Sequence, residues 1–538
     1  MLRHRILSAA FCFLTVLLPV KSEAQTPPKP KPKLVVVVVV DQFRYDYLTR
    51  FRDDYHAGLS RMLNKGADFT NGFYAQIPTV TAVGHSIMLS GAMPATSGIV
   101  GNSWFDRAEN KTVTSVCDWT VKVVGAAQPS QGEKCTDSDP ASPRRLLVST
   151  LGDELKDAHP DSKVIGISIK ARGAILPSGH SANGAFWFDD QNGAFVTSSY
   201  YMEKLPTWAD DFNNQKLAAK YVDQKWDGFP TWDFHSKSGA TYAKLPASPW
   251  GNELIERFAE AAITGEKLGQ RAGVTDLLTV SFSSNDYVGH SVGPNAPEVR
   301  DMAIRTDQLL GNLFTLIDKS VGLSETVVVF SADHGVAATV KHDQETRMPG
   351  GNVRGNPEEV VQNALAKTFG VEGLWLIPGS GETTLYLNWD TVLKAKKGTS
   401  NEPIEEDDLY RVATSALMAS PDLHVARVYT RPELENGEVG DFVAQAMMNG
   451  FNPKRSGDIF IVFEPGYIPG SGPGTTHFSP WAYDRHVPML LMGPGIKPGR
   501  YDENVEVNDI APTLATLLDI QTPSGSSGRV LPLLEPQR

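Results

Sequence analysis

Residues Leu34–Val40 read LVVVVVV, seven apolar positions with no polar interruption, and the run stops at Asp41. A strand with one wet face alternates apolar and polar positions. An unbroken β-branched run therefore predicts a strand buried on both faces, as in a parallel sheet covered by helices. Comparable runs recur at 164–169, 277–281, 326–330, 459–463 and 489–492, and helical spacing fills 253–262, 298–317 and 507–518. This alternation predicts an α/β protein with one large, doubly wound, mostly parallel central sheet and helices on both faces. Asp41, Lys170, Asp286 and Asp333 follow directly after such runs. They therefore belong at the carboxyl edge of the sheet, where folds of this class bind ligands.

Two stretches break the alternation and read as loop-rich insertions near that edge: 103–145, rich in Asp, Ser, Thr and Gly, and 185–250, rich in Trp, Tyr, Phe and Pro. Residues 467–474 form a Gly/Pro loop that runs straight into Thr475-Thr476-His477. At the start of the chain, Arg3, His4 and Arg5 precede an apolar run over 6–20, and Ser22-Glu23-Ala24 follows with small residues three and one positions before the next peptide bond. That pattern predicts a signal peptide over 1–24, too short to span a bilayer, and hence a periplasmic or secreted protein. Residues 25–33 read as a Pro/Lys linker, and 34–538 as the catalytic domain. No second long apolar run exists, so no membrane association is expected after cleavage. Two cysteines remain in that mature chain, Cys117 and Cys135. In an oxidising compartment they are free to pair, which would close a loop in an insertion rather than hold the core.

The formal net charge is −12 with a pI of about 5.5, and no Lys/Arg block stands out. Specific nucleic-acid binding is not expected without a basic stripe. An anionic substrate would have to be met by local positive charge.

That charge points to metal. Besides Asp41, three short segments combine polar donors at loop positions: Asn285-Asp286-Tyr287-Val288-Gly289-His290, Ser331-Ala332-Asp333-His334-Gly335 and Gly474-Thr475-Thr476-His477. Asp286 and His290 are four apart, so one helical turn puts both on one face. Asp333 and His334 are adjacent and converge only where the strand has ended, a turn Gly335 permits. Mixed carboxylate and imidazole donors suit zinc. Two Zn²⁺ carry four positive charges against three aspartates, leaving a net charge of about +1 for a phosphoryl dianion, and such pairs clamp both oxygens of an in-line displacement. A hydroxyl nucleophile is offered by Ile77-Pro78-Thr79-Val80-Thr81-Ala82-Val83-Gly84-His85, a loop entering a helix whose free N–H groups favour an anion. Spacing alone leaves Thr79 and Thr81 equivalent.

VVVDQFRYDYL, PTVTAVGH, GIVGNSWFD, DYVGH, SADHG, KRSGD and GTTH, taken together and in this order, resemble the alkaline-phosphatase superfamily and are most similar to PafA-like bacterial alkaline phosphatases. The resemblance spans the chain from about residue 34 to about 525. It implies a monomer acting on small-molecule phosphate monoesters with two zinc ions per chain. Residue by residue, it implies that Asp41, Thr81, Asp333 and His334 bind one zinc, with Thr81 as nucleophile. Asp286, His290 and His477 would bind the other, and Asn102 would contact a phosphoryl oxygen. It singles out Lys170 and Arg172 as well. Residues two apart in an extended segment share a face, so both are expected to point at the same phosphoryl oxygens, Arg as a fork and Lys as a point charge. A monoester offers more unsubstituted oxygens and more negative charge than a diester, so such a pair favours monoesters. No Cys-based sulfatase signature is present. His85, His180, His342 and His486 receive no catalytic role. The expected reaction is monoester hydrolysis through a phospho-threonine. The alternatives are a phosphodiesterase or nucleotide pyrophosphatase on the same fold, and a periplasmic metal- or phosphate-binding protein without turnover.

Overall fold

The computed structural model describes residues 31–534 except 133–134, 137, 223, 227, 230–241, 371–372, 380–382, 396–402, 438–439 and 471. The expected signal peptide and most of the linker lie outside the described residues, as does part of the aromatic-rich stretch. Ten strands form the central sheet: β1 (Leu34–Val40), β2 (Ala67–Phe73), β3 (Val123–Val124), β4 (Val164–Ser168), β5 (Gly184–Asp189), β6 (Ala194–Ser198), β7 (Asp276–Phe282), β8 (Thr326–Ser331), β9 (Met489–Met492) and β10 (Gly499–Glu506). Their order across the sheet is β10-β2-β9-β8-β1-β7-β4-β5-β6-β3. The consecutive neighbours β8, β1, β7, β4 and β5 are all parallel. Strand β9 and the far-edge strands β6 and β3 run antiparallel to their neighbours.

Every side chain of β1 is fully buried, as its unbroken apolar run requires. Helices α1 (Thr81–Ser90), α2 (Ala171–Ser178), α3 (Pro249–Glu266), α4 (Ser284–Val292), α5 (Pro297–Ser320) and α6 (Ile510–Leu518) pack around the sheet. Helix α5 also sends Asp307 to the start of the helix Gly58–Lys65, where both carboxylate oxygens accept N–H groups from His56, Ala57, Leu59 and Ser60. A carboxylate there answers the free N–H groups and the positive end of the helix dipole.

One apolar run does not belong to the central sheet. Ile459–Phe463 is the middle strand of a separate three-stranded sheet, antiparallel to Thr384–Leu385 and Val425–Thr430. Its run is unbroken for the same physical reason as β1. Ile459, Ile461 and Phe463 face one apolar cluster, while Phe460 and Val462 face a second. Residues 184–198, at the start of the aromatic-rich stretch, supply strands β5 and β6 of the central sheet. Cys117 and Cys135 are joined as a disulfide. Among the described residues no helix is long and apolar enough to cross a membrane.

Candidate active site

Four adjacent parallel strands end on the same edge, and each delivers polar side chains to it. Strand β8 leads to Asp333 and His334, β1 to Asp41, β7 to Asp286 and His290 on α4, and β4 to Lys170 and Arg172. Two glycines let the remaining pieces close in. A Cβ on Gly84 would lie 2.1 Å from the Asp333 carbonyl oxygen, so only glycine lets α1 approach that backbone. A Cβ on Gly474 would lie 2.1 Å from the His290 carbonyl oxygen, which brings the loop bearing His477 against α4.

Two acid/imidazole groups result. In the first, Asp286 Oδ1 lies 3.2 Å from His290 Nε2 and 3.7 Å from His477 Nε2. In the second, Asp41 and Asp333 gather around His85, with His334 Nε2 3.3 Å from Asp333 Oδ2. The imidazoles are held in one orientation by carbonyls. His290 Nδ1 meets Thr475 O at 2.8 Å, His334 Nδ1 meets Gly335 O at 2.9 Å, and His477 Nδ1 meets Thr79 O at 2.7 Å. A carbonyl accepts only, so each Nδ1 must carry the proton and each ring turns Nε2 inward. His290 and His477 thus face each other through Nε2 at 3.2 Å, a contact that either a proton on His290 or a metal ion would satisfy.

The charges follow from burial and neighbours. Burial opposes ionisation of Asp286, but Lys170 and His290 outweigh it and hold its carboxyl well below the usual range. Asp333 goes the other way: burial and the nearby Asp41 push it well above, and its Oδ2 has no hydrogen-bond partner. Burial pushes His334 down to about 4, and burial with the neighbouring His334 and His290 depresses His477 strongly. For His290 burial is outweighed by Asp286, which raises it. An orphaned buried carboxylate oxygen beside neutral imidazoles is the donor set a divalent metal would complete. Asp41, Asp333 and His334 could hold one ion, and Asp286, His290 and His477 another.

Thr81 opens α1, with its Oγ1 3.5 Å from His334 Nε2. Thr79 is distinguished from it by its partner, since its hydroxyl donates to the Ser479 carbonyl at 3.3 Å. Asn102 Oδ1 accepts the Ala82 N–H at 2.9 Å, and its amide group borders a cavity of 170 Å³ together with Arg172 and the Cys117–Cys135 disulfide.

Lys170 and Arg172 do not share the one extended segment that their two-residue spacing implies. Strand β4 ends at Ser168 and α2 begins at Ala171, so Lys170 is the extended residue before the helix and Arg172 lies in its first turn. Arg172 borders the Asn102 cavity, while Lys170 Nζ lies 2.7 Å from Asp41 Oδ2 and 2.6 Å from Asp286 Oδ2. Burial opposes its charge, but the two carboxylates win and raise it.

Several contributors had no assigned role in the sequence. His85 Nδ1 donates to Thr81 O at 2.9 Å, and its Nε2 pairs with Ser281 Oγ at 2.9 Å, which ties the first turn of α1 to the sheet. Its spacing of four from Thr81 is the signal that puts it on that face. Gln42 gives its backbone N–H to Asp333 and its side-chain amide to Asp286. Asp484 Oδ2 accepts from Phe478 N–H, Ser479 N–H and Ser479 Oγ–H, and its carbonyl accepts the Gly335 N–H. One residue therefore braces the loops of both His477 and His334.

Comparison with known proteins identifies the family and the fold. Residues 35–487 match the family model described as type I phosphodiesterase / nucleotide pyrophosphatase. Alkaline phosphatase PhoV of Synechococcus elongatus is 37% identical over 91% of this chain and 91% of its own length. Alkaline phosphatase PafA of Elizabethkingia meningoseptica is 37% identical over 91% of this chain and 92% of its own. The crystal structure of wild-type PafA superposes with a TM-score of 0.85 at 36% identity, covering 94% of this chain and 99% of PafA. A variant of PafA substituted at one threonine, one asparagine, one lysine and one arginine superposes equally well. With that fold, that family match and relatives aligned over nearly their whole length, the chain belongs to the type I phosphodiesterase / nucleotide pyrophosphatase family, among the alkaline phosphatases of the PafA and PhoV type.

Proposed function

We propose that the protein hydrolyses phosphate monoesters to an alcohol and inorganic phosphate through a phosphorylated Thr81, at a site that takes two zinc ions. The observation that carries the reading is the Thr81 hydroxyl, buried at the start of α1 and flanked by the two acid/imidazole groups. Asp41, Thr81, Asp333 and His334 are the residues for one ion, and Asp286, His290 and His477 those for the other. When bound, a metal pair supplies Lewis-acid stabilisation of the attacking and leaving oxygens.

Thr81 Oγ1 gives up its proton and attacks phosphorus, and the bond from phosphorus to the alcohol oxygen breaks as the new one forms. The alcohol leaves with a proton. Water then attacks the phospho-threonine, so that inorganic phosphate departs and Thr81 regains its hydroxyl. The open α1 N-terminus and the Asn102 amide offer N–H groups to the non-bridging oxygens, where charge sits throughout. Lys170 and Arg172 add positive charge on two sides, which favours a dianionic monoester over a monoanionic diester. The names of the PafA and PhoV relatives support this reading, as does the PafA variant with replacements in the same four residue types. The signal-peptide pattern over 1–24 supports action outside the cytoplasm, and the family resemblance supports a monomer acting on small molecules.

The description of the family model favours a second reading, diester hydrolysis. Turnover of an aryl phosphate monoester and of its methyl diester decides between them. A large monoester preference that collapses in Lys170→Ala/Arg172→Ala supports the proposal, whereas a diester preference in the wild type rejects it. Thr81→Ala is expected to keep fold and metal while losing most turnover.

A further inference from the structure

A cleft of about 450 Å³ runs from Asn102 to Phe478 along the Thr81 side of the site. We propose that it receives the alcohol part of the ester, and that it selects uncharged, apolar alcohols. This rests on the phosphomonoesterase reading and deepens it.

The cleft borders the site through Asn102, and two of its other lining residues are chain neighbours of site residues. Val80 precedes Thr81, and Asn102 is bonded to the N–H of Ala82, which follows Thr81. Phe478 directly follows His477. Its φ of 145° is a conformation non-glycine residues rarely adopt, held by the N–H bond to Asp484. Strain of that kind persists where surrounding structure enforces it, commonly at a functional position. The volume falls in the range of small-molecule pockets.

The lining decides the class of occupant. Among the described residues it carries no charged side chain, and Val80, Tyr386, Met447, Phe460 and Phe478 make much of it apolar. The arginines that stack on its rings are committed elsewhere. Arg107, over Tyr386, pairs with Asp458, and Arg455, over Trp104, donates to the Gly98 carbonyl. An anionic alcohol would lose its hydration here without gaining a partner, since the lining carries no cation and the ring faces are themselves negative, while alkyl or aryl groups gain by leaving water.

The test is kcat/KM for straight-chain monoalkyl phosphates from methyl to hexyl, whose leaving alcohols differ little in acidity, with 6-(phosphonooxy)hexanoate, a carboxylate on the same chain, as the charged comparison. The expected rise is about twofold per methylene for a partly open cleft, roughly 30-fold from methyl to hexyl, with the carboxylate ester at least ~10-fold below hexyl phosphate. Thr384→Glu puts a charge on the half-buried rim, and Phe478→Ala removes the ring. Each is expected to flatten the hexyl-to-methyl ratio, and the first leaves the loop of His477 alone. A flat series in which methyl phosphate is turned over as well as hexyl overturns the proposal while the phosphatase reading stands. No phosphate release from any ester removes both.

Discussion

Replacing Lys170 by methionine separates what this lysine does for the fold from what it does for the site. Lys170 is 1% exposed, and its ammonium sits between Asp41 and Asp286, with N–O distances of 2.7 and 2.6 Å. Removing one partner of a buried ion pair costs about 3–5 kcal/mol, because the remaining charge is left uncompensated. The same two carboxylates are the candidate metal ligands, so in the metal-loaded protein bound cations supply that compensation instead. The cost there should fall to about 1 kcal/mol, the ordinary scale of a lost packing or hydrogen-bonding contact. Closing the cycle, the difference of at least about 2 kcal/mol must reappear as tighter metal binding in the variant, by a factor of ~30. Urea unfolding of wild type and Lys170→Met, each with saturating Zn²⁺ and after chelation, measures both cycle edges. Competition with a chromophoric chelator measures the affinity directly. Equal destabilisation in the two states, or weaker metal binding in Lys170→Met, would refute the reasoning. Turnover of monoesters should fall in the variant even as its metal affinity rises.

Gly84→Ala places a Cβ about 2.1 Å from the Asp333 carbonyl oxygen, so α1 must move. The expected result is a loss of ~1–3 kcal/mol in stability and ~100-fold or more in kcat from displacement of Thr81, read by thermal unfolding and steady-state kinetics. Metal uptake at Asp286, His290 and His477 should weaken as the pH falls. His290 has a raised pKa and must shed a proton to offer Nε2, whereas His334 and His477 are depressed and already neutral; Zn²⁺ titrations across pH 5–9 check this. Burial raises Asp484 from 3.8 to about 7, so between those values the native state keeps a proton the unfolded chain has lost. Its contribution to stability is therefore full below the unfolded value, falls as pH rises to about 7 and is constant above. The stability of the wild type relative to Asp484→Asn should fall over that interval in denaturant titrations.

The centre of the sheet was legible because burial on both faces leaves an unmistakable mark. The runs at 34–40, 164–169, 277–281 and 326–330 needed no partner to be recognised. The same mark misled at Ile459–Phe463, since a strand pressed between two apolar clusters reads the same whichever sheet it joins. The antiparallel edge strands are short or half-polar and carried little signal. At the site, the residue types were readable but the angles were not. The helix start at Ala171, set by where β4 stops, puts Lys170 in extended backbone and Arg172 in a helical turn, and no two-residue spacing announces it. Spacing left Thr79 and Thr81 equivalent; in the structure the Ser479 carbonyl, 400 residues away in the chain, takes the Thr79 hydroxyl and sets it apart. The bracing of two loops by Asp484 is likewise a long-range fact.

The measurement that bears most directly on the account is the metal content and metal positions of the enzyme crystallised with inorganic phosphate, read from anomalous scattering at the zinc edge. The account predicts two peaks per chain. One should be bounded by Asp41, Asp333, His334 and the Thr81 hydroxyl, the other by Asp286, His290 and His477, with phosphate between them. A single peak, or two ions bound away from Thr81, would contradict it.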